Sequence, residues 1–246
     1  MGNKNKKAKK DSKTWLYRLT MPIAGPLVYT IYGLRIIKGK KNLPKEGAAI
    51  AAGNHIHFSD PVFLYFAQKR QIRYMAKAEL FKNKFLGWVC GNYGAFPVER
   101  GSADTESLST AEQMLVDGKI LGIFPEGTRS KDGKVGRGKA GVLLIAHQSG
   151  VPIYPFAVFS KKSALRIGSK YTIAFGDPVT AEELGVVTGS PREYREATRK
   201  LMNIITELQN DCREYRGLPR ITADDDKKTA EKAEKKEAET GEAVGV

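Results

Sequence analysis

The stretch "AAGNHIHFSDPVF", residues 51–63, decides how the chain is read. It opens on small apolar residues that suit a buried strand, and Pro61 suits the first turn of a helix. His55, His57, Ser59 and Asp60 fall on the connection between the two. In α/β proteins ligands gather at the carboxyl ends of the strands, and His55 stands at such an end. Asp60 precedes a proline, which biases it toward an extended conformation. A loop that folds back brings its carboxylate to His55 and fixes the imidazole tautomer, as in the orienting part of a catalytic triad. Two plainer uses compete with this one: Asp60 caps the helix, and His55 is a satisfied loop histidine.

Outward from this stretch, short apolar runs alternate with helical patterns. Strands are expected at 48–53, 72–76, 94–99, 119–127 (running into a loop), 151–160 and 170–176. Helices are expected at 61–68, 79–91, 104–118, 138–150 and 191–217. The alternation predicts one α/β domain over residues 38–218, with a largely parallel central sheet flanked by helices. The ends read differently. Residues 1–13 form a basic arm expected to be disordered, and residues 219–246 a charged, disordered tail. Residues 14–37 are apolar and aromatic, interrupted by Pro22 and Pro26. They are too short and too broken for a membrane span, but aromatic residues with flanking cations suit a membrane interface. The expectation is a membrane-associating helical segment; a helix packed on the domain's own core is the alternative.

The chain of 246 residues carries a formal net charge of +14, with a pI near 9.6. The segment 223–246 holds five lysines against eight acids, so the excess belongs to the body and the basic arm. Such a charge favours anionic partners: nucleic acid, an anionic membrane face or phosphorylated small molecules. Cys90 and Cys212 have no paired spacing, which excludes a disulfide framework and a zinc pattern. No secretory signal is expected at the N-terminus, and Lys6 stands where a myristoylation motif wants Ser or Thr.

Three further segments carry candidate chemistry. "FPEGTRS", 124–130, follows a strand; Gly127 permits a tight turn, Thr128 and Arg129 offer donors, and the guanidinium fork of Arg129 suits phosphate. Glu126 would repel phosphate, so its expected use is to hold Arg129, a backbone amide or a substrate hydroxyl. Lys77 and Arg100 end strands of their own, and Arg137 and Lys139 stand at a helix start, where cations make sense beside a bound anion. His57 is placed to join His55 on a metal, but no third ligand accompanies them and no metal site is expected. Ser59 lacks the Gly-x-Ser-x-Gly elbow of a nucleophile.

The blocks "NHIHFSD", "GAFPVER" (94–100), "FPEGTRS" and "VPIYPFAV" (151–158) resemble, in this order, the four blocks of the glycerolipid acyltransferases. The resemblance covers roughly residues 30–215 and is nearest to the family's bacterial 1-acyl-sn-glycerol-3-phosphate acyltransferases. It implies that His55 is the general base and Asp60 its orienting partner. It also implies that Lys77, Arg100, Glu126, Gly127, Thr128 and Arg129 form the acceptor site, with the arginines on a phosphate. The implied reaction moves an acyl group from acyl-CoA or acyl carrier protein to lysophosphatidic acid, with no cofactor, at an anionic membrane surface on the cytoplasmic face. His57 departs from the pattern, since many members have Ser there. Another acceptor, such as glycerol 3-phosphate or a lyso-aminolipid, would use the same catalytic pair. A non-enzymatic membrane or nucleic-acid binder calls for interleaved basic and aromatic stripes; the cations cluster at strand ends instead, and no nucleic acid is expected.

Overall fold

The computed structural model describes residues 15–68, 70–98, 105–161 and 166–222. Seven strands form one sheet: β1 (Arg35–Lys38), β2 (Ala49–Gly53), β3 (Ile72–Lys77), β4 (Ala95–Val98), β5 (Ile120–Ile123), β6 (Ile153–Phe159) and β7 (Thr172–Phe175). Their spatial order is β1-β7-β6-β2-β5-β3-β4. Every pair is parallel except β6 with β7. The helices are α1 (Trp15–Ile31), α2 (Asp60–Ala67), α3 (Glu79–Lys82), α4 (Lys84–Asn92), α5 (Thr105–Val116), α6 (Gly141–Ser149) and α7 (Pro191–Tyr215).

A largely parallel sheet needs cover on both faces, and its central strands then read as unbroken apolar runs. β2 and β6 are buried at every position. β2 sends Ile50 and Ala52 toward α5, α6 and α7, and Ala49 and Ala51 toward α1 and α2. The 25-residue α7 is set by its sequence. Ser190 accepts the Glu193 amide in a capping box and Pro191 occupies the first turn. Ala197, Leu201, Ile205, Leu208 and Cys212 then recur at helical spacing and are buried. Adjacent strands β2, β5 and β3 therefore present their carboxyl ends side by side, with the loops after them on one edge.

The structure differs from the expectation in three places. The apolar segment over 14–37 is not helical throughout: α1 ends at Ile31, Gly33 turns at φ 57°, and Arg35–Lys38 join the sheet as β1. The helix expected over 79–91 is two helices, because Asn83 adopts an extended conformation and caps the second. Residues 219–222 are held on α7 rather than belonging to a loose tail. Arg220 pairs with Glu207, Glu214 and Asp211, and the Ile221 amide donates to Asn210 Oδ1 at 2.8 Å. The arm 1–13 and the rest of the tail, 223–246, lie outside the described residues. Among the described residues no helix is long and apolar enough to cross a membrane.

α1 has two apolar stripes. Ala24 and Val28 pack against Tyr65 and Phe66, Gly25 lies against Phe66, and Tyr32, just past the helix end, meets the Phe63 ring edge-on. Leu19, Ile23 and Leu27, four residues apart, face outward with exposures of 56%, 72% and 56%. Both readings of this segment thus have a stripe: one against the core, one left exposed among the described residues.

Candidate active site

β2 ends at Gly53, and Asn54 anchors the chain just beyond it. Its buried side chain donates to Val158 O at 3.0 Å and accepts from Val158 N at 2.8 Å, extending the β2–β6 pairing by a side-chain rung. His55 then leaves the sheet. Its Nδ1 lies 2.7 Å from Asp60 Oδ2. Asp60 is fully buried at the first turn of α2, yet it caps nothing in that helix. Its Oδ2 instead accepts the amides of Ile56 and His57, each at 2.8 Å, which curls the loop back onto the carboxylate. Oδ1 accepts the Tyr171 hydroxyl from across the sheet. Burial holds that phenol well above its ordinary range, with the Asp60 charge adding to the effect, so Tyr171 stays a donor.

With Nδ1 committed to a carboxylate, the neutral imidazole carries its proton there and presents Nε2 as acceptor. The His55 side chain is 16% exposed, so the ring reaches solvent while its partner does not. Its plane is set by stacking on Phe124, with centroids 4.1 Å apart and 16° between planes, and Phe124 stacks in turn on Tyr74. His57 turns to Ser59, Nδ1 to Oγ at 2.8 Å. Among the described residues no three His, Cys, Asp or Glu side chains gather as metal ligands.

The loop 124–130 docks on this edge. The Ser130 amide donates to His55 O at 2.7 Å. Gly127 adopts φ 71°, closed from φ > 0 to most side chains, and Lys139 lies over it, with Cε and Nζ 3.3 Å from where a Cβ would stand. Glu126 is buried below the loop and accepts the Gly136 amide at 3.2 Å. Burial raises its carboxyl to about 7; amides from Gly136 and His55 oppose the rise, and the charges of Asp60 and Asp132 add to it. Glu126 thus serves a backbone amide, one of its three expected uses. Thr128 and Arg129 stand exposed on the same loop.

Residues 35–159 match the protein family described as Acyltransferase. The chain belongs to the acyltransferase family. A 1-acyl-sn-glycerol-3-phosphate acyltransferase of Bacillus subtilis is 32% identical over 178 residues, 71% of this chain and 87% of that protein. A chloroplastic 1-acyl-sn-glycerol-3-phosphate acyltransferase of Arabidopsis thaliana is 28% identical over 153 residues, 61% of this chain but 42% of that protein. The crystal structure of the 1-acyl-sn-glycerophosphate (LPA) acyltransferase PlsC from Thermotoga maritima superposes with a TM-score of 0.58 over 79% of each chain. At 23% identity it supports the fold: α/β, with a mostly parallel central sheet flanked by helices.

In this acyltransferase the structure brings together His55, Asp60, Glu126 and Gly127, with Thr128 and Arg129 beside them. Lys77 closes β3 on the same edge, and its side chain lies outside the described residues, as does all of Arg100. Asn54 and Tyr171 are the site residues that sequence reading missed. A cleft of about 440 Å³ between α7 and the loop before α6 is lined by Arg137, Arg195, Arg199 and Met202. It contains neither His55 nor Asp60, and the site is assigned from their hydrogen bonds rather than from that hollow.

Proposed function

We propose that the protein transfers an acyl group from an acyl thioester to the sn-2 hydroxyl of 1-acyl-sn-glycerol 3-phosphate, making phosphatidic acid. The observation that carries this reading is the His55–Asp60 pair, one partner buried and the other open at Nε2, in a chain whose relatives bear that activity in their names. His55 Nε2 takes the hydroxyl proton as the acceptor oxygen attacks the thioester carbonyl carbon. The tetrahedral adduct collapses with cleavage of the C–S bond, leaving an ester and a thiolate. The imidazolium returns the proton to sulfur. A thiol ionises near pH ~8.5, so the leaving group needs little acid help, and direct attack by the hydroxyl requires no acyl-enzyme. The buried Asp60 carboxylate faces the charge that the ring gains in the transition state.

Arg129 supplies a fork for the acceptor phosphate, with Thr128 beside it and, as the resemblance implies, Lys77 and Arg100 as further donors. The donor is acyl-CoA or acyl carrier protein. A lipid acceptor calls for a site at a bilayer, and the outer stripe of α1 together with the basic N-terminal arm supports peripheral or monotopic attachment to the cytoplasmic face of the cell membrane. The test is direct. Purified protein is given lysophosphatidate or glycerol 3-phosphate with an acyl thioester, and the lipids formed are identified. Phosphatidic acid from lysophosphatidate is the expected product; turnover of glycerol 3-phosphate alone would reassign the acceptor.

A further inference from the structure

The hairpin of α3 and α4 contains no buried residue. Leu80, Phe85, Leu86 and Trp88 are 42%, 70%, 44% and 51% exposed. The hairpin is nevertheless well built. Asn83 Oδ1 accepts the amides of Phe85 and Leu86, each at 3.0 Å. Gly87 lets the helices close until a Cβ there would stand 3.1 Å from Phe81 O. The two helices therefore meet through backbone at Gly87, and Leu80, Phe85, Leu86 and Trp88 are turned outward while Phe81 and Val89 are half-buried. The hairpin leaves from the carboxyl end of β3, the edge that carries His55. Phe58, 67% exposed, stands on that edge beside His57. Glu79 is the single acid between residues 79 and 92, against Lys82 and Lys84.

We propose that the α3–α4 hairpin and Phe58 form a docking surface for an anionic phospholipid bilayer. Phe85, Leu86 and Trp88 enter the interface and Lys82 and Lys84 meet the headgroups. An exposed apolar group of this size marks an interaction surface. Aromatic residues flanked by lysines suit the interface of a bilayer, and the +14 chain is drawn to anionic lipid. The proposal deepens the acyltransferase reading, since it sets the His55 edge against the surface from which a lipid acceptor arrives. It differs from attachment by α1, which leaves the orientation of that edge open.

Trp15 and Trp88 are the chain's two tryptophans, so fluorescence can address the hairpin. The full chain carrying Trp15→Phe is mixed with phosphatidylglycerol–phosphatidylcholine vesicles, with and without brominated acyl chains. These vesicles hold no lysophosphatidate and no thioester, so the result does not depend on the assigned reaction. An interfacial helix sinks ~5–10 Å, so Trp88 emission is expected to shift to the blue and to be quenched by bromine. The reciprocal Trp88→Phe chain, which keeps Trp15, is expected to lose less emission than the wild type on the same vesicles. A Phe85→Ser/Leu86→Ser chain is expected to bind vesicles about tenfold more weakly, a loss of ~1.4 kcal/mol. Its thermal melting and its turnover of detergent-dispersed acceptor should hold. Vesicle-bound protein whose Trp88 is neither shifted nor quenched, or a Trp88→Phe chain quenched as fully as wild type, overturns the proposal. So does a blue-shifted Trp88 in lipid-free protein that sediments as a dimer, which would give this face to a second copy.

Discussion

Glu126→Gln should change how stability depends on pH. In the fold, burial raises the Glu126 carboxyl from 4.5 to about 7. Between those values the folded protein keeps a proton that the unfolded chain has released, so stability falls as pH rises through the window. Below pH 4.5 both states are protonated and the group contributes no penalty; above about 7 the whole cost of an ionised, buried carboxylate is present. The displacement corresponds to roughly 3 kcal/mol, lost at up to ~1.4 kcal/mol per pH unit. Glutamine keeps an oxygen for the Gly136 amide and cannot ionise. Urea denaturation of wild type and Glu126→Gln at half-unit steps from about pH 4.5 to about 8.5 isolates the effect, because the histidines are common to both chains. The difference in unfolding free energy should grow from near zero at about pH 4.5 to roughly 3 kcal/mol in favour of glutamine at about pH 8. A flat difference across the range would refute the reasoning and mean that water or a neighbouring cation solvates the carboxylate.

The other expectations concern the catalytic pair, the phosphate and α1. His55→Ala should cut turnover by ~10²–10⁴ in a chain that still folds, with a lowered melting temperature because Asp60 loses one of its donors; near-wild-type turnover in an acyl-transfer assay would remove His55 as the base. Arg129→Lys should raise KM for a phosphorylated acceptor more than it lowers kcat, because a point charge does not replace a fork; an equal effect with an unphosphorylated acceptor would count against phosphate contact. Tyr171→Phe keeps the ring stacked on Phe63 but strips Asp60 Oδ1 of its donor, at a cost of ~1.5–3 kcal/mol in urea denaturation. Its kcat should fall about tenfold, equivalent to ~1.4 kcal/mol, with KM unchanged. Leu19→Ser/Ile23→Ser/Leu27→Ser should weaken vesicle binding in co-sedimentation while leaving the fold intact; truncation to residue 37 is a poorer probe, because it removes most of β1 and uncovers Tyr65 and Phe66.

The sequence was most readable where burial or local geometry leaves a local mark. The unbroken apolar runs of β2 and β6 come from cover on both faces, and α7 announces itself by its cap and its helical spacing. The His55–Asp60 pair was legible because Gly53 and Pro61 bracket a loop short enough to fold back. Long-range partners left no such mark. β1 is continuous in composition with α1, and its strand character comes from pairing with β7, far along the chain; Gly33, with its positive φ, was the available signal. Tyr171 lies 111 residues from Asp60, and its hydroxyl reaches the carboxylate only through the strand order. Asn54 reads as an ordinary loop amide until β6 is placed beside β2. The break between α3 and α4 was visible in Asn83, a good capping residue inside an apolar run.

Asp60 shows why fold and chemistry are hard to separate at this site. A buried carboxylate is tolerable when its lone pairs are filled. Asp60 has four donors: the imidazole, two loop amides and a phenol. The same four bonds curl the loop, tie it to the strand side of the sheet and orient the base. Removing the carboxylate therefore strands two amides and a hydroxyl together with the histidine, and lost activity in Asp60→Ala would mix a misplaced loop with a missing charge. Asp60→Asn divides them better. Its oxygen can still accept the Nδ1 proton and the two amides, and its NH₂ can turn to Tyr171, whose hydroxyl also accepts. What that side chain lacks is the negative charge opposite the forming imidazolium, so the rate it keeps reports orientation and the rate it loses reports electrostatics.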